Sequence, residues 1–310
     1  MADGRVGKMI QERRQGHAAT RALHCKDASL RKEVRNLAVG GVGAAVAAIA
    51  SPMCRLNPLL VPFVLDVFAG AMIFADMAKT LGFFVVSIDI VFGPDHDLTS
   101  PKVANQIIGW IHAGLVIFAH FGVCCKSWSR ARGIPIGPQP LRSMEHVLGL
   151  PDLRHERERW KIINGNKLMS FTARAFSACI RMLVPAGVEN PWSSYIWDTV
   201  PFQHLAKRKA VRVVRADFCK FGSPWMKPTR LMLAFCQTGF LEKRCRPVGC
   251  ICSRSGKPHV RLVGFSGPGV FATVQAEKYP RPFARALAKT YQEAALRLEN
   301  ARICEILDGK

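Results

Sequence analysis

Two adjacent thiols, Cys124 and Cys125, open a polar stretch directly after an apolar run, Leu115 to Val123. A thiol attacks carbon only as its thiolate, and basic neighbours lower its pKa; Lys126, Arg130 and Arg132 are close in sequence. Glu189, in the pair Glu189-Asn190, offers a polar group at the end of another apolar run. Asp66 lies within a second apolar run that ends in Phe68-Ala69-Gly70, and Asp89 closes a third, followed by Ile90. A glycine turn after a strand lets the backbone approach a ligand, and an acid at the next strand end can accept both hydroxyls of a ribose. The ordinary roles of the same residues are a tight turn and a helix cap. Cys245, Cys250, Cys252 and His259 contain zinc-ligand types, but not at the paired Cys-x-x-Cys spacing, so no firm metal site follows and unpaired thiols are the default. His120 sits inside an apolar run and reads as a core histidine.

These residues need a scaffold, and the chain describes one. Val61 to Phe68 reads as a buried strand, Met72 to Leu81 as a helix stopped by Gly82, and Phe83 to Ile90 as a second strand. Pro101 starts a helix with Val103, Ile107 and Trp110 on one face, and Leu115 to Val123 is a third strand. A long helix carries Leu168, Phe171, Ala175, Ala178 and Met182 at helical spacing. Val188 to Pro191 stands where the next strand belongs, Ala210 to Asp217 is another, and Phe283 to Leu298 forms an amphipathic last helix. Strands alternating with helices predict a Rossmann-like α/β fold with a parallel sheet, whose ligands bind outside the carboxyl ends of the strands. Asp66, Gly70, Asp89, Cys125 and Glu189 all fall at those ends.

Composition narrows the partner. Among 310 residues there are 44 Lys and Arg against 22 Asp and Glu, a formal net charge of +22. Such an excess suits a polyanion, since each phosphate neutralised releases counterions; charge alone leaves RNA open beside DNA. The Arg130 to Arg142 loop, Lys227 and Arg230 are the natural candidates for phosphate contacts, with a solvated basic face as the plain alternative. Eleven cysteines without a secreted-domain framework suit reduced thiols in an intracellular compartment, nuclear or DNA-associated, and the basic N-terminus lacks a secretory core. The uncharged run Leu37 to Cys54 is short and rich in Gly and Ala, whereas a bilayer takes about 20 strongly apolar residues, so no membrane span is expected.

In order and spacing the motifs resemble the cytosine-5 DNA methyltransferase family, over roughly Val61 to Ala288. Leu65-Asp66-Val-Phe68-Ala69-Gly70 is similar to its S-adenosylmethionine-binding motif and Ser87-Ile-Asp89 to its acidic second motif. Gly122-Val-Cys-Cys125-Lys126-Ser-Trp-Ser129 resembles the Gly-Pro-Pro-Cys nucleophile loop, Glu189-Asn190 the Glu-Asn-Val motif and Phe221-Gly-Ser-Pro224 a later Tyr-Gly-x-Pro motif. Tyr279 to Leu287 resembles the closing motif, whose helix returns to the cofactor pocket; the stretch Pro224-Trp-x-Lys227-Pro-Thr-Arg230 is shared with divergent, retroelement-linked reading frames. The resemblance implies a methyltransferase sheet with a small Cys-rich insertion. Asp66, Phe68, Ala69, Gly70, Asp89, Ile90 and Asp97 would hold S-adenosylmethionine. Cys125, Glu189 and Arg230 would act on a flipped cytosine of DNA, held by Lys126, Arg130, Arg132, Arg142 and Lys227.

The sequence also departs from that family: Val123 and Cys124 replace the two prolines, Ala71-Met72 follows Gly70 without a second glycine, and Pro191 follows Glu-Asn. Two other readings therefore stand beside a DNA cytosine-5 methyltransferase. One is a catalytically inactive nucleic-acid-binding relic of the same fold; the other, prompted by Asn190-Pro191-Trp192, is an exocyclic-amine methyltransferase. The expected organisation is a monomer with a basic extension at 1–56, a catalytic domain at 57–235, a recognition-like insertion at 236–278 and a completing helix at 279–310.

Overall fold

The structure is a computed structural model that describes residues 61–133, 138–267 and 270–307. The basic extension and the uncharged run at 37–54 lie outside the described residues.

Phe63–Val67 (β1), Val85–Ile88 (β2), Val116–Gly122 (β3), Ala186–Pro191 (β4), Val211–Asp217 (β5) and Pro228–Ala234 (β6) form one sheet in the order β2-β1-β3-β4-β6-β5. Ile73–Thr80 (α1), Pro101–His112 (α2), Glu156–Arg181 (α3), Val200–Ala206 (α4) and Arg281–Leu307 (α5) are its helices. A two-stranded ribbon, Phe265–Gly267 (β7) with Val270–Phe271 (β8), belongs to the segment after the sheet. The α/β alternation read from the sequence is present.

Alternation along the strands builds two layers of core. Phe63, Leu65 and Val67 of β1 join Trp110 of α2, Phe176 of α3 and Phe202 of α4 on one face. Val64 joins Phe74 of α1 and Phe283, Leu287 and Tyr291 of α5 on the other. The last helix thus packs on α1 and completes the same body as the first strand. Asp66 shares the Val64 face, which places a carboxyl under α1 and α5 rather than in solvent.

One feature corrects the expected parallel sheet. Strands β1 to β4 pair in parallel, but β6 is wedged antiparallel between β4 and β5. The run Leu231-Met-Leu-Ala234 is fully apolar and carries the strand; Pro228 sits at its first position, where a missing N–H is tolerated. Strand order reverses between β1 and β3, since β2 lies to one side of β1 and β3 to the other. Their carboxyl ends flank the crevice where open α/β sheets bind ligands.

Candidate active site at the carboxyl ends of β1, β3 and β4

The turn after β1 is tightly wound. Phe68, Gly70 and Met72 all have positive φ, at 61°, 47° and 58°. Two of these are not glycine, and such backbone strain collects at ligand sites. The Gly70 N–H donates to Asp89 Oδ2 at 2.9 Å, so the first turn and the end of β2 are tied together. Asp89 Oδ1 accepts from the Val91 N–H at 3.0 Å and caps a short 3-10 turn at Ile90–Phe92, which is the ordinary role foreseen for it. Each oxygen keeps capacity for a further acceptance. Beside this carboxylate Ile90, Val91 and Phe92 expose large apolar surface. Asp97 accepts from the Thr99 N–H and hydroxyl, an Asx turn that leads into α2.

Strand β3 ends at Gly122, which pairs with Glu189 of β4. A Cβ at Gly122 would lie 2.8 Å from Tyr279 Oη and 3.4 Å from the Phe68 carbonyl oxygen. The β1 turn, the β3 end and the residue preceding α5 therefore meet at one point, and only glycine fits there.

Glu189 is buried. Its Oε2 accepts from Tyr279 Oη at 3.0 Å, while Oε1 has no partner among the described residues. Burial raises its pKa, opposed by Lys227 and by the Tyr279 hydrogen bond. Tyr279 Oη also lies 3.0 Å from His120 Nε2, and His120 Nδ1 lies 3.2 Å from Tyr291 Oη. With the Tyr279 proton given to an ionised Glu189, His120 must donate from Nε2 and accept at Nδ1 from Tyr291. Burial holds His120 neutral by lowering its pKa to about 3. It is the satisfied core histidine that the sequence suggested, and it orients the phenol that holds Glu189.

Asp66 is buried beside this chain, with Oδ2 unpartnered among the described residues. Desolvation raises its pKa to about 7, partly offset by the Ala75 backbone N–H. It is a protonated or half-protonated acid near neutral pH.

The thiols differ. Cys124 is exposed, and Cys125 is half-buried. Burial pushes the Cys125 thiol up to about 11; the cation that opposes this is Lys227, and Glu189 adds to the rise. That corrects the source of activation expected from sequence. Lys126 is exposed, and Arg130 is occupied by Asp198 at 3.0 Å and by the Tyr195 ring at 4.3 Å. Lys227 instead points inward: its Nζ donates to the Ala276 carbonyl at 2.7 Å, 4.6 Å above the Phe218 ring.

Two residues fix the loop that carries the two thiols. Asn190 is fully buried and its Nδ2 donates to the Val123 carbonyl at 2.6 Å, directly before the two thiols. Arg142 is the second. Expected on a phosphate, it is 2% exposed and lies flat on Trp128, its Cζ 3.3 Å from the ring centroid. It donates to Ser127 O at 3.0 Å, Val147 O at 2.8 Å and Asn166 Oδ1 at 2.9 Å. Three carbonyl acceptors and an aromatic face satisfy a guanidinium better than water at that position would, so Arg142 is a loop anchor and not a nucleic-acid contact. Burial lowers its pKa to about 9. Arg132 is half-buried and donates to Gln139 O at 3.1 Å; with Arg130, Ser129 and Tyr195 it lines a small cleft beside the loop.

Arg230 lies opposite Asn190 in the register, so it takes the Asn190 face of the sheet and not that of Glu189. Its Cζ stacks 4.5 Å from the Trp192 centroid and 5.4 Å from that of Trp197, with Nε unpartnered among the described residues.

Asn190, Tyr279 and Lys227 thus do work at the site that sequence reading did not assign to them. Their signal was available only as membership of motifs at three distant places in the chain. Of the four residues with zinc-ligand side chains named above, Cys250 is exposed and apart, while Cys245, Cys252 and His259 cluster with Cys219. Among the described residues no helix is long and apolar enough to cross a membrane. No model of a known protein family matches the chain, and no curated protein matches it.

Proposed function

We propose that the chain is an S-adenosylmethionine-dependent methyltransferase acting at C5 of cytosine in DNA. The observation that carries this reading is convergence. A thiol, a buried carboxylate with one unpartnered oxygen, and a strained glycine turn come from three separate strands and meet beside the topological switch point of the sheet.

The residues present suit the cofactor. Asp89 retains acceptor capacity for a ribose, Ile90 to Phe92 offer apolar surface for an adenine, and the Phe68–Gly70 turn leaves its backbone open above the crevice. The unpartnered oxygen of Asp66 beneath that turn suits a cationic or hydrogen-bonding group. When bound, S-adenosylmethionine supplies the methyl group from its sulfonium.

On the base, Cys125 Sγ as thiolate would form a bond to C6 while a protonated Glu189, favoured by its burial, would donate its proton to N3, so that electron density gathers at C5. After methyl transfer to C5, loss of the C5 proton to solvent would break the C6–S bond, release Cys125 as thiolate and return the N3 proton to Glu189. Tyr279 holds Glu189, Asn190 holds the loop that presents Cys125, and Lys227 stabilises both negative charges. A thiol held near 11 in the free protein leaves little thiolate at neutral pH, so the bound substrate would have to supply hydrogen bonds or positive charge that favour the thiolate. The exposed Lys126 and the cleft at Arg130 and Arg132 are the proposed phosphate contacts, with a flipped base costing a few kcal/mol to extract.

The test is trapping. DNA containing 5-fluorocytosine and the methyl donor should give a covalent adduct that Cys125→Ser abolishes and Cys124→Ser preserves. Absence of S-adenosylmethionine binding in calorimetry, with salt-dependent DNA binding retained, would overturn the enzyme in favour of a binding relic of the fold.

A further inference from the structure

The segment that follows β6 has little core of its own. Between residues 236 and 264, Cys236, Leu241, Cys245 and Cys252 are the buried hydrophobic side chains among the described residues. Three of these are thiols, and two of them, Cys245 and Cys252, pack against a fourth, Cys219, which belongs to the 3-10 turn Phe218–Phe221 at the end of β5. A short segment without a hydrophobic centre needs another source of cohesion.

We propose that Cys219, Cys245, Cys252 and His259 bind one zinc ion, which staples the insertion to the end of strand β5. All four ligand atoms lie within 4.8 Å of one another. A tetrahedral ion with Zn–S bonds of about 2.3 Å and a Zn–N bond of about 2.05 Å requires edges of about 3.8 Å between sulfurs and about 3.6 Å between sulfur and nitrogen. The Cys245 and Cys252 sulfurs are 3.9 Å apart, and Cys245 Sγ is 3.6 Å from His259 Nε2. The sulfur separation is far from the roughly 2.05 Å of a disulfide. Three thiols and an imidazole, with no carboxylate among them, are a soft donor set that selects zinc over magnesium or calcium.

The backbone supports the same centre. The His259 N–H donates to the Cys250 carbonyl at 3.0 Å and the Cys252 N–H to Lys257 O at 2.9 Å, folding a narrow loop that brings residues 252 and 259 to one side. The Arg254 N–H donates to Cys252 Sγ at 3.5 Å, and Ser253 Oγ lies 3.4 Å from Cys245 Sγ, contacts of the kind that orient thiolate ligands. On the sheet side, Asp217 Oδ2 accepts the Cys245 N–H at 2.7 Å and the Arg254 guanidinium reaches the Cys219 carbonyl at 2.5 Å. Both clamps tie the insertion to the neighbours of Cys219. Cys250 is exposed and takes no part, and six residues separate Cys245 from Cys252 and again Cys252 from His259.

The experiment is elemental analysis of the full chain, purified with reductant and without chelator, independent of any methyl transfer. One zinc per chain is expected. Cobalt exchanged into the wild-type protein should show intense tetrahedral d–d bands with thiolate charge-transfer absorption. Cys250→Ser should keep the metal, His259→Cys should keep it with shifted cobalt bands, and Cys219→Ser should lose it or bind it at least 10-fold more weakly. The proposal falls if reduced wild-type protein takes up no zinc, if mass spectrometry finds Cys245 disulfide-bonded to Cys252 in metal-free protein, or if Cys250→Ser loses the metal while Cys219→Ser retains it.

Discussion

The Asn190 side-chain amide donates to the Val123 carbonyl oxygen at 2.6 Å, a bond between the end of β4 and the residue before the two thiols. Removing it leaves a buried carbonyl without a donor, which costs about 1–3 kcal/mol. Asn190→Ala should lower the unfolding free energy obtained from a denaturant titration by that amount and make Cys125 react faster with iodoacetamide, because its loop is no longer pinned. Peptide-level mass spectrometry after timed alkylation reads the second effect; unchanged Cys125 kinetics would show that the bond does not position the thiol.

Reactivity of the two adjacent cysteines should separate by pH. At pH 8 a thiol with a pKa about 11 is thiolate in roughly one molecule in a thousand. Cys124, which is exposed, should therefore alkylate first, and Cys125 should gain close to tenfold in rate per pH unit up to about 11. Equal rates at neutral pH would contradict the burial assigned to Cys125.

On the proposed reading Lys227 acts inside the site and not on a phosphate. Lys227→Met should raise the pKa of both Cys125 and Glu189, move the alkylation profile of Cys125 to higher pH and depress adduct formation. The slope of DNA affinity against salt should stay unchanged. A slope reduced by about one unit would instead identify a backbone phosphate contact.

Arg142 and Arg130 belong to the same basic stretch and should behave differently. Arg142→Ala strips three carbonyl acceptors and the face of buried Trp128, and a loss on the order of 3 kcal/mol in chemical denaturation is expected. Arg130→Ala, with its partly exposed pair to Asp198, should change stability by less than about 1 kcal/mol and weaken DNA binding at low salt.

Asp66 should make stability depend on pH. Its folded pKa, about 7, lies above the ordinary 3.8, so folding takes up a proton between those values. The stability it contributes is complete below about pH 4 and is lost as pH rises through 7. From pH 4 to pH 8 the wild type should lose on the order of 2–4 kcal/mol relative to Asp66→Asn, measured by urea titration at several pH values. Parallel curves for the two proteins would refute the buried acid.

Much of the scaffold was legible because β1, β2 and β3 are short apolar runs bounded by Gly and Pro, and α2 and α3 show clear helical periodicity. Strand β6 escaped for a physical reason. Its first residues, Pro228-Thr-Arg230, carry no strand signal, and only tertiary pairing on both edges makes them extended. The site was half legible: strand ends advertise Asp66, Asp89, Cys125 and Glu189, because polar groups are rare in such runs. Which cation faces Cys125 could not be read, since Lys227 approaches from a residue more than 100 positions away. Arg142 misled because composition marks a guanidinium as exposed, and Trp128 gives no sequence sign that it will roof one. Cys219 was invisible as a ligand, lying 26 residues before Cys245 in a different element.

Tyr279 and Tyr291 have a consequence for how a chain matures on the ribosome. The phenol that steadies Glu189 and the one that steadies His120 both belong to the last helix or its approach, while the groups they hold were made 90 and 171 residues earlier. A nascent chain can assemble β1 to β4 and still lack a finished pocket, with a carboxylate and an imidazole facing water. On the proposed reading, activity waits on translation of the last helix, so a polypeptide released early by a stop codon would carry the thiol without the residues that hold Glu189 and His120.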